Sequence, residues 1–428
     1  MLQALTSGAQ PVTTIAIGSS SYHSLFLKSD GSVWAMGYNI TGELGDGSYN
    51  SANHPEQIVA SNVTAIAAGG FHSLFIKSDG SLWATGYNDW GELGDGTITQ
   101  TNHFKQIVAS NVTAIAAGTY LSLFLKSDGS LWGMGDNSTG QLGDGTYNNT
   151  NRPEQIVASN VTAIAAGYHH NLFLKRDGSL WAMGYNEYGQ LGDGTHNTTN
   201  QPEKIVGSNV TAIASGLYHS LFLKIDSSLW GMGNNAFGEL GDGTYHGTNN
   251  PEQIVASGVV AIAGGNLHSL FLKSDGSLWA MGANNYGQLG DGTTNNINQP
   301  EQIVAGSVTA IAAGEYHSLF LKSDGSLWAM GWNYAGMLGD GTLNNTNRPE
   351  MILGPYNQIS GRFLGGTNMQ LSFVGIALKN YALDRYSSLS PPNWIPQATN
   401  QAGSFGVLLF TNPPDATTNN FWRIRSVP

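Results

Sequence analysis

The chain has 428 residues, of which 40% are hydrophobic and 11% are charged, and its formal net charge is −12 at pH 7. Its 17 basic residues form no cluster, which argues against a surface for nucleic acid or for an anionic membrane. The absence of cysteine excludes disulfides, thiolate metal sites and a cysteine nucleophile, and no apolar run reaches the length of a membrane span.

The N-terminal segment, MLQALTSGAQPVTT, has neither the basic start nor the apolar core of a secretion signal. We therefore expect either a cytosolic protein or a chain that begins inside a longer precursor. The composition, rich in Asn, Thr, Gly and Ser with sparse lysine, favours the second alternative and an extracellular or cell-surface location.

From Thr14 onward the chain repeats a single unit that carries four predicted strands. Two of them lie in HSLFLKSDGSLWAMG, where the Asp-Gly pair suits a type I′ hairpin turn. Their nearly continuous apolar residues indicate strands that are covered on both faces, as in a blade that lies between two other blades. The preceding VTAIAAG and the EQIVAS that follows a polar loop supply the other two strands.

One tryptophan marks each repeat, and the seven are spaced by 49 residues without a slip. A period of about 50 residues is typical of supersecondary units that stack or form a ring. We therefore predict an all-β, seven-bladed β-propeller of 49-residue repeats, in which the tryptophans form a structural layer between blades. These residues are Trp34, Trp83, Trp132, Trp181, Trp230, Trp279 and Trp328.

The lengths of the connections predict the order of the strands within a blade. Only a few residues join EQIV to the next TAIAAG, so these two strands are expected to be neighbours in one sheet. The long Gly- and Asn-rich segment after the Trp strand is then the crossing between blades. On this order the first blade lacks its EQIV strand. Residues 350–353 supply it by pairing with residues 14–37, which closes a ring that spans residues 1–354.

The Gly-rich GQLGDG segment contains no GK[ST] and opens no helix, so turns that need positive φ explain it better than phosphate binding. The segment that starts at Asp144 alternates oxygen-bearing side chains as a calcium loop does. Its sixth residue is not glycine, and its twelfth is Gln155, where calcium loops have a bidentate glutamate. We predict no metal site, no cofactor and no catalytic residue, and hence no enzyme.

A histidine begins the HSLFLK strand in six repeats, and Leu121 takes its place in the third. A residue that leucine can replace is expected to be partly buried and to bond or pack locally. In the fifth repeat the Asp-Gly turn reads Asp226-Ser227, so Ser227 must adopt the conformation of glycine at a cost of about 1 kcal/mol. This turn is therefore predicted to be the weakest of its kind.

The repeats differ from one another almost wholly at one end of the predicted ring. Because successive strands reverse direction, that end carries the GxxH turn and the long Gly- and Asn-rich segment, while the SDGS and ASN turns lie at the other. The variable residues are rich in Trp, Tyr and Asn, which suits a recognition surface, although drift in tolerant loops also produces variation. The predicted partner-binding residues are Trp90, Tyr168, Tyr188, Phe237, Tyr286, Trp332 and Tyr334.

The period ends at residue 354, and residues 355–428 are predicted to form a small β-sandwich or related β-module. Its strand-like segments include MQLSFVGIALKNYALDRYSSL, GVLLFTN and FWRIRSVP, which are separated by Gly, Pro and Asn turns. The segment resembles short C-terminal modules of exported bacterial repeat proteins and carries no catalytic motif.

The repeat pattern GxxHSLxLxxDGxLWxxGxNxxGQLGxG resembles that of the regulator of chromosome condensation family, seven times over residues 14–354. The resemblance implies a seven-bladed β-propeller and, with the C-terminal module, a bacterial-type member. The eukaryotic founder of the family exchanges guanine nucleotide on a small GTPase and docks on chromatin. This chain has no basic extension for chromatin and nothing that identifies an exchange loop. A bacterial β-lactamase inhibitory protein with this fold binds its partner through loops on one face, which is a fold-level analogy.

These observations favour a non-catalytic scaffold, a monomer that binds a protein partner through the variable end of the propeller. Carbohydrate binding is the alternative, because aromatic faces and Asn amides also stack on and hydrogen-bond to sugars. Guanine nucleotide exchange on a small GTPase is a third and less favoured function. No nucleic-acid partner and no membrane span are expected, and a cytoplasmic location is the alternative to an extracellular one.

Overall fold

A computed structural model describes residues 10–354 of the chain and six further strands between Ser360 and Val427. The first 28 strands in chain order form seven four-stranded antiparallel sheets, which confirms the predicted all-β, seven-bladed propeller. Among the described residues, no helix is long and apolar enough to cross a membrane.

The sheets follow one another along the chain, and each is one blade, numbered in chain order. Blade 1 consists of β1 (Val12–Ala16), β2 (His23–Lys28), β3 (Val33–Gly37) and β4 (Ala52–Val59). Blade 2 consists of β5 (Val63–Ala68), β6 (His72–Lys77), β7 (Leu82–Gly86) and β8 (Thr101–Val108). Blade 3 consists of β9 (Val112–Ala117), β10 (Leu121–Lys126), β11 (Leu131–Gly135) and β12 (Thr150–Val157). Blade 4 consists of β13 (Val161–Ala166), β14 (His170–Lys175), β15 (Leu180–Gly184) and β16 (Thr199–Val206).

The remaining blades repeat the same pattern of strand lengths. Blade 5 consists of β17 (Val210–Ser215), β18 (His219–Lys224), β19 (Leu229–Gly233) and β20 (Thr248–Val255). Blade 6 consists of β21 (Val259–Gly264), β22 (His268–Lys273), β23 (Leu278–Gly282) and β24 (Ile297–Val304). Blade 7 consists of β25 (Val308–Ala313), β26 (His317–Lys322), β27 (Leu327–Gly331) and β28 (Thr346–Leu353).

The order of strands within a blade differs from the predicted one. The EQIV strand is the fourth strand of its own blade, where it pairs with the Trp strand, as Gln57 of β4 does with Trp34 of β3. Strand β28, which contains residues 350–353, completes blade 7. The predicted closure of the ring by pairing of residues 350–353 with residues 14–37 is therefore wrong.

The long segment between the third and fourth strands folds back on itself, which is the physical reason for the difference. In blade 1 the buried Asn39 holds it: its Oδ1 accepts the Leu44 N–H at 2.9 Å, and its Nδ2 donates to Asp46 Oδ1 and to the Asn50 carbonyl, both at 3.0 Å. The ends of the segment consequently meet on one sheet. Only residues 60–62 cross to the next blade. At the start of that blade, the Val63 N–H donates to the carbonyl of Gly31, in the SDGS turn of blade 1, at 3.1 Å.

The hydrophobic core consists of layers between neighbouring blades. Phe75 and Trp83 of blade 2 pack against Leu25, Leu27 and Leu44 of blade 1, and the same arrangement recurs around the ring. Each of the seven tryptophans is half-buried and stacks on the phenylalanine of the neighbouring strand. The repeated lysine covers the outer side of each tryptophan, with Nζ 3.6–4.2 Å from the ring centre.

A buried histidine and a buried serine join neighbouring blades. Each serine Oγ donates its hydrogen to a main-chain carbonyl, as Ser73 does to Glu43 at 2.6 Å, so the oxygen accepts the Nε2–H of the histidine. The pairs, 2.8–3.0 Å apart, are His23–Ser73, His72–Ser122, His170–Ser220, His219–Ser269, His268–Ser318 and His317–Ser24. Because the histidines are fully buried and have no charged partner, burial lowers the pKa of each to about 3 or 4.

The interface between blades 3 and 4 departs from this pattern at both positions. Leu121 stands where the other blades have histidine, and Asn171 stands where they have serine. The Asn171 Nδ2 still donates to a carbonyl, that of Gln141, at 2.7 Å. Both members of the histidine–serine pair are thus replaced at this interface. Since Leu121 has no N–H to donate, no serine oxygen is needed to accept it.

The GQLGDG segment forms a second set of bonds between blades. The Gly47 N–H donates to the carbonyl of Asn102 in the next blade at 2.9 Å, and the corresponding bond occurs at each of the other interfaces. At the junction of blade 7 with blade 1, the Gly341 N–H donates to the Asn53 carbonyl at 2.8 Å. A Cβ at Gly42 would lie 2.6 Å from Asn102 Cα, so the close approach of two blades requires glycine there.

The turn at Ser227 has the predicted strained conformation. Ser227 has φ of +62°, while the equivalent Gly31, Gly80 and Gly129 have φ of +76° to +77°. A residue with Cβ in this region costs about 1 kcal/mol relative to glycine.

The C-terminal strands form two three-stranded antiparallel sheets, in the orders β29-β30-β33 and β32-β31-β34. Their bounds are Ser360–Gly365, Asn368–Val374, Asn380–Tyr386, Ile395–Gln401, Val407–Asn412 and Phe421–Val427 for β29 to β34. The boundary between a propeller of residues 1–354 and a module of residues 355–428 stays a prediction, since parts of the second segment lie outside the described residues.

Candidate binding surface at the loop end

The propeller has two unlike ends. One end, here the loop end, carries the connections from first to second strand and from third to fourth strand of every blade. The other, the turn end, carries the SDGS turns and the short crossings. The sequence predicts the same two ends although it predicts the wrong strand order within a blade, because strand direction alternates in the same way in the predicted and the observed order.

At the loop end the two connections of each blade are tied together. The N–H of the residue that follows the third strand donates to the carbonyl of the residue that precedes the second strand, as Tyr38 does to Tyr22 at 3.0 Å and Trp332 to Tyr316 at 2.8 Å. This bond places two side chains of one blade next to each other, and both are often aromatic.

These side chains form one continuous aromatic network across neighbouring blades. Its ring centres are 3.8–6.4 Å apart, and most of the rings are tilted or edge-on, as aromatic pairs prefer. The members are Tyr22, Tyr38, Phe71, Tyr87, Trp90, Tyr120, Tyr168, His169, Tyr185, Tyr188, Tyr218, Tyr286, Tyr316, Trp332 and Tyr334.

Six of the seven predicted partner-binding residues belong to the network. Trp90, Tyr188 and Tyr334 are its exposed members, at 40%, 43% and 49% exposure. Tyr168, Tyr286 and Trp332 are half-buried. Phe237 is half-buried on blade 5, and none of the described ring contacts involves it.

Two further groups of loop-end residues are not among the partner-binding residues predicted from the sequence. The first is the residue before the second strand, which is aromatic in most blades and forms the inner part of the network: Tyr22, Phe71, Tyr120, Tyr218 and Tyr316. The second is the residue two positions after the GDG motif, which is exposed at the outer rim: Tyr49, Ile98, Tyr147, Tyr245 and Leu343. The recurrence of apolar residues at both positions is the signal in the sequence that marks them.

The network is interrupted at blade 6. There Leu267 and Ala283 take the two positions that are aromatic in most other blades, so that no described ring contact joins Tyr218 to Tyr286. The aromatic surface is therefore a crescent and not a closed circle.

Asp136 and Glu315 are buried acidic side chains beside the crescent. The first is Asp136 in blade 3, which is buried, with Oδ2 2.7 Å from Gln141 Nε2 and 3.3 Å from His169 Nδ1. Burial alone would raise the pKa of Asp136, but the hydrogen bonds from His169 and from the Ser138 N–H outweigh it and hold the pKa below its ordinary value.

The second is Glu315 in blade 7, which is buried to 8% exposure. Burial raises the pKa of Glu315 to about 7, and the nearby hydroxyls of Tyr22 and Tyr316 act in the opposite direction. Burial and the nearby Glu315 carboxylate in turn raise the pKa of Tyr22.

Glu315 lies two residues beyond Ala313, where the lining of a central channel ends in blade 7, and thus at the mouth of that channel. The channel has a volume of about 260 Å³ and is lined by the first strand of every blade, mostly through small side chains. At the loop end, main-chain bonds between blades frame its mouth: the Asn266 N–H donates to the Gly314 carbonyl at 3.0 Å, and the Glu315 N–H to the Ser21 carbonyl at 3.3 Å.

The segments considered as phosphate or calcium loops have structural bonds. The Asp144 carboxylate accepts the Thr146 N–H at 2.8 Å and the Asn137 Nδ2 at 3.0 Å, which is the geometry of an Asx turn. The GQLGDG glycines have positive φ and connect blades. In the part of the chain that the structure describes, no group of three or more acidic or histidine side chains is arranged to hold a metal ion.

Comparison with known proteins places these observations in a family. The sequence matches the RCC1-like domain over residues 60–369, and the regulator of chromosome condensation (RCC1) repeat over residues 30–76 and 12–43. No curated protein matches the sequence.

Three solved structures share the fold. Prp20p from Saccharomyces cerevisiae is 22% identical, with a TM-score of 0.70 over 78% of this chain and 90% of its own. Human WBSCR16 is 24% identical, with a TM-score of 0.68 over 77% of this chain and 96% of its own. Yeast RCC1 (Prp20) bound to Kap60 is 22% identical, with a TM-score of 0.68 over 82% and 90%. At these identities the similarity establishes the fold alone.

Proposed function

Because the chain belongs to the family of RCC1-like domains, we propose that it is a non-catalytic scaffold that binds a partner protein through its loop end. The observation that carries this proposal is the aromatic crescent. Its inner rings are half-buried and fixed by their neighbours, while Trp90, Tyr188 and Tyr334 are exposed at its edge.

Such a surface has the properties of a binding hot spot. Tyr and Trp contribute large contact areas for few rotatable bonds, and rings that are already held in place lose little entropy on binding. Tyr188 packs 4.8 Å from Tyr218, and Tyr334 packs 4.8 Å from Trp332, so the exposed rings are supported from below.

The related structures support a protein as the partner. The structure of Prp20p is described together with its binding to Gsp1p and histones, and that of yeast RCC1 is a complex with Kap60. All of these ligands are proteins.

The proposal is tested by capture of partners from a lysate of the native organism with the full chain as bait. We expect a saturable partner that is lost when Trp90, Tyr188 and Tyr334 are replaced together by Ala. A matched control is Ile225→Ala, which removes a 75% exposed apolar side chain from the turn end. A partner that is retained by the triple variant but lost by Ile225→Ala would overturn the proposal.

Carbohydrate binding remains the second candidate, because exposed rings at the loop end lie beside the polar groups of Asn and Tyr side chains. Saturable binding on a glycan array that is abolished by Trp90→Ala would favour it. Acceleration of nucleotide release from a small GTPase by the purified chain would favour the exchange function instead. The extracellular location and the monomeric state stay predictions.

A further inference from the structure

The mouth of the central channel holds an acidic group without a counter-ion. Glu315 is 8% exposed, and no Lys or Arg side chain pairs with it within residues 10–354. Burial of a carboxylate that has no cationic partner is costly, so such groups are usually paired or serve a ligand. In the other repeats the equivalent residue carries no carboxylate: Ser21, Gly70, Thr119, Tyr168, Leu217 and Asn266.

Aromatic side chains surround this carboxylate. Tyr316 follows Glu315 in the chain, and Tyr22 follows Ser21, whose carbonyl accepts the Glu315 N–H at 3.3 Å. The rings of Tyr22 and Tyr316 both contact Trp332, with ring centres 5.9 and 5.5 Å apart. Tyr120 and Tyr168 are close enough for the Glu315 charge to raise the pKa of their hydroxyls, after the larger effect of burial. A carboxylate with several aromatic rings around it is a typical environment for an organic ammonium group, which gains both an ion pair and cation–π contacts.

Neighbouring polar atoms at the mouth have unused acceptor capacity. Asn266, 6% exposed, is bonded through its main chain to the residue before Glu315, yet its Oδ1 has no hydrogen-bond partner among the described residues. The buried Ser19 and Ser20, in the connection of blade 1 that accepts the Glu315 N–H, likewise have unpartnered Oγ atoms. An ammonium group carries three N–H donors and could satisfy one acceptor beside the carboxylate.

We propose that the mouth of the channel binds the ammonium group of a lysine side chain presented by the partner protein, with Glu315 as its counter-ion. This inference rests on the proposed function and names the chemistry of the partner at the centre of the crescent. A lysine has the length to reach a recessed carboxylate while its apolar stem packs along aromatic rings.

The net charge of the protein agrees with a basic partner. The chain carries −12 overall, and its seven repeated lysines end the second strands at the turn end, where they cover tryptophan rings. A partner with exposed lysines would therefore meet an acidic protein at the end that lacks these cations.

The test uses the peptide acetyl-Gly-Lys-Gly-amide and its Nε-acetylated form, titrated into the full chain by calorimetry or NMR. We expect saturable binding of the cationic peptide, no binding of the acetylated one, and at least about tenfold weaker binding to Glu315→Gln. The control is Glu187→Gln, whose exposed carboxylate accepts a tyrosine hydroxyl, that of Tyr185, at 2.7 Å but lies outside the mouth. Equal binding of the two peptides, or equal loss in both variants, would overturn the proposal.

A pH titration supplies a readout that depends on the carboxylate itself. Glu315 acts electrostatically on Tyr22, Tyr316, Tyr120 and Tyr168. These tyrosines are neutral at pH 6–8, since their ordinary pKa is about 10 and burial raises it further. With a pKa of about 7, Glu315 must lose its proton to pair with the ammonium group, so affinity should increase from pH 6 to pH 8. Affinity that does not change over this range contradicts the assignment of Glu315 as counter-ion.

The two proposals fail in different ways. If the captured partner binds Glu315→Gln as well as wild type but is lost by the Trp90, Tyr188 and Tyr334 variant, the scaffold function stands and the lysine site falls. If the chain binds choline more tightly than the lysine peptide, the lysine assignment is also wrong. If no partner is captured by any form, the scaffold function falls, and the peptide titration still decides the site.

Discussion

His317 Nε2 lies 2.9 Å from Ser24 Oγ, and this hydrogen bond joins the last blade of the ring to the first. The Ser24 hydroxyl donates in turn to the Met337 carbonyl at 2.9 Å. The same two bonds occur at five other interfaces, so the junction that closes the ring is built like those within it.

Replacement of the two partners in this bond should have unequal effects. Ser24→Ala leaves a buried N–H and a buried carbonyl unpaired and should lower the free energy of unfolding by about 1–3 kcal/mol. His317→Leu removes the donor, leaves Ser24 bonded to its carbonyl and should cost less, about 1 kcal/mol, since Leu121 fills this position in blade 3. Urea denaturation measures both changes. Ser61→Ala, at an exposed serine, is the control, and a larger cost for His317→Leu than for Ser24→Ala would contradict the donor assignment.

The buried histidines should make the protein sensitive to acid. The pKa of His72 is about 3 in the folded chain and near 6.5 in the unfolded chain, so between these values the unfolded chain binds the extra proton. Its contribution to stability is present above pH 6.5 and is lost as the pH falls towards 3. Buried glutamates with raised pKa act in the opposite direction, so the informative quantity is a difference between variants.

That difference is measured by comparing wild type with His72→Leu in urea at pH 5 and pH 7. The variant should lose less stability than wild type between the two pH values, by up to about 1.4 kcal/mol per pH unit for one proton. If both proteins lose the same amount of stability between pH 7 and pH 5, His72 is protonated to the same extent in the folded and the unfolded chain.

Glu92→Gln should stabilise the protein at alkaline pH. Burial raises the pKa of Glu92 to about 8, so the folded chain keeps a proton that the unfolded chain releases above about pH 4.5. The associated stability is fully present below pH 4.5 and is lost as the pH rises to 8. Gln stands at the same position in blades 3, 4 and 6, as Gln141, Gln190 and Gln288, which shows that the site accepts the amide.

Thermal unfolding at pH 4 and pH 9 checks this expectation. The free energy of unfolding of Glu92→Gln should equal that of wild type at pH 4 and should exceed it by more than about 1 kcal/mol at pH 9. Glu252→Gln, at an exposed carboxylate on β20, should change neither value. Equal stability of Glu92→Gln and wild type at pH 9 would contradict the raised pKa.

Ser227→Gly should raise the free energy of unfolding by about 1 kcal/mol, because Ser227 has φ of +62° and glycine adopts this region without the Cβ penalty. Ser227→Ala keeps the Cβ and serves as the control, for which no gain is expected. A melting temperature of Ser227→Gly at or below that of wild type would refute the strain.

The fold was predictable because its signal is repeated seven times and does not depend on long-range detail. The constant spacing of the tryptophans fixed the number of blades, and the Asp-Gly turns fixed two strands in each. The positive φ of Ser227 followed from its alignment with Gly31 and Gly80, which needs only local geometry.

The blade boundary was not predictable from connection lengths, since a long segment can either cross to another sheet or fold back. The deciding contact is that of Asn39 with Leu44, Asp46 and Asn50, a hydrogen-bond network within one loop. The candidate surface was found only in part for a related reason. Tyr22 and Tyr316 vary little among repeats, and their role depends on contacts with Glu315 and Trp332 that join blades 7 and 1.

Because every blade is one contiguous segment, no sheet depends on strands from both ends of the ring. The chain could accordingly be circularly permuted at any crossing, such as residues 60–62, and each permutant would still contain complete blades. In a propeller closed by a shared strand, one sheet would instead be held together by strands from both ends of the chain.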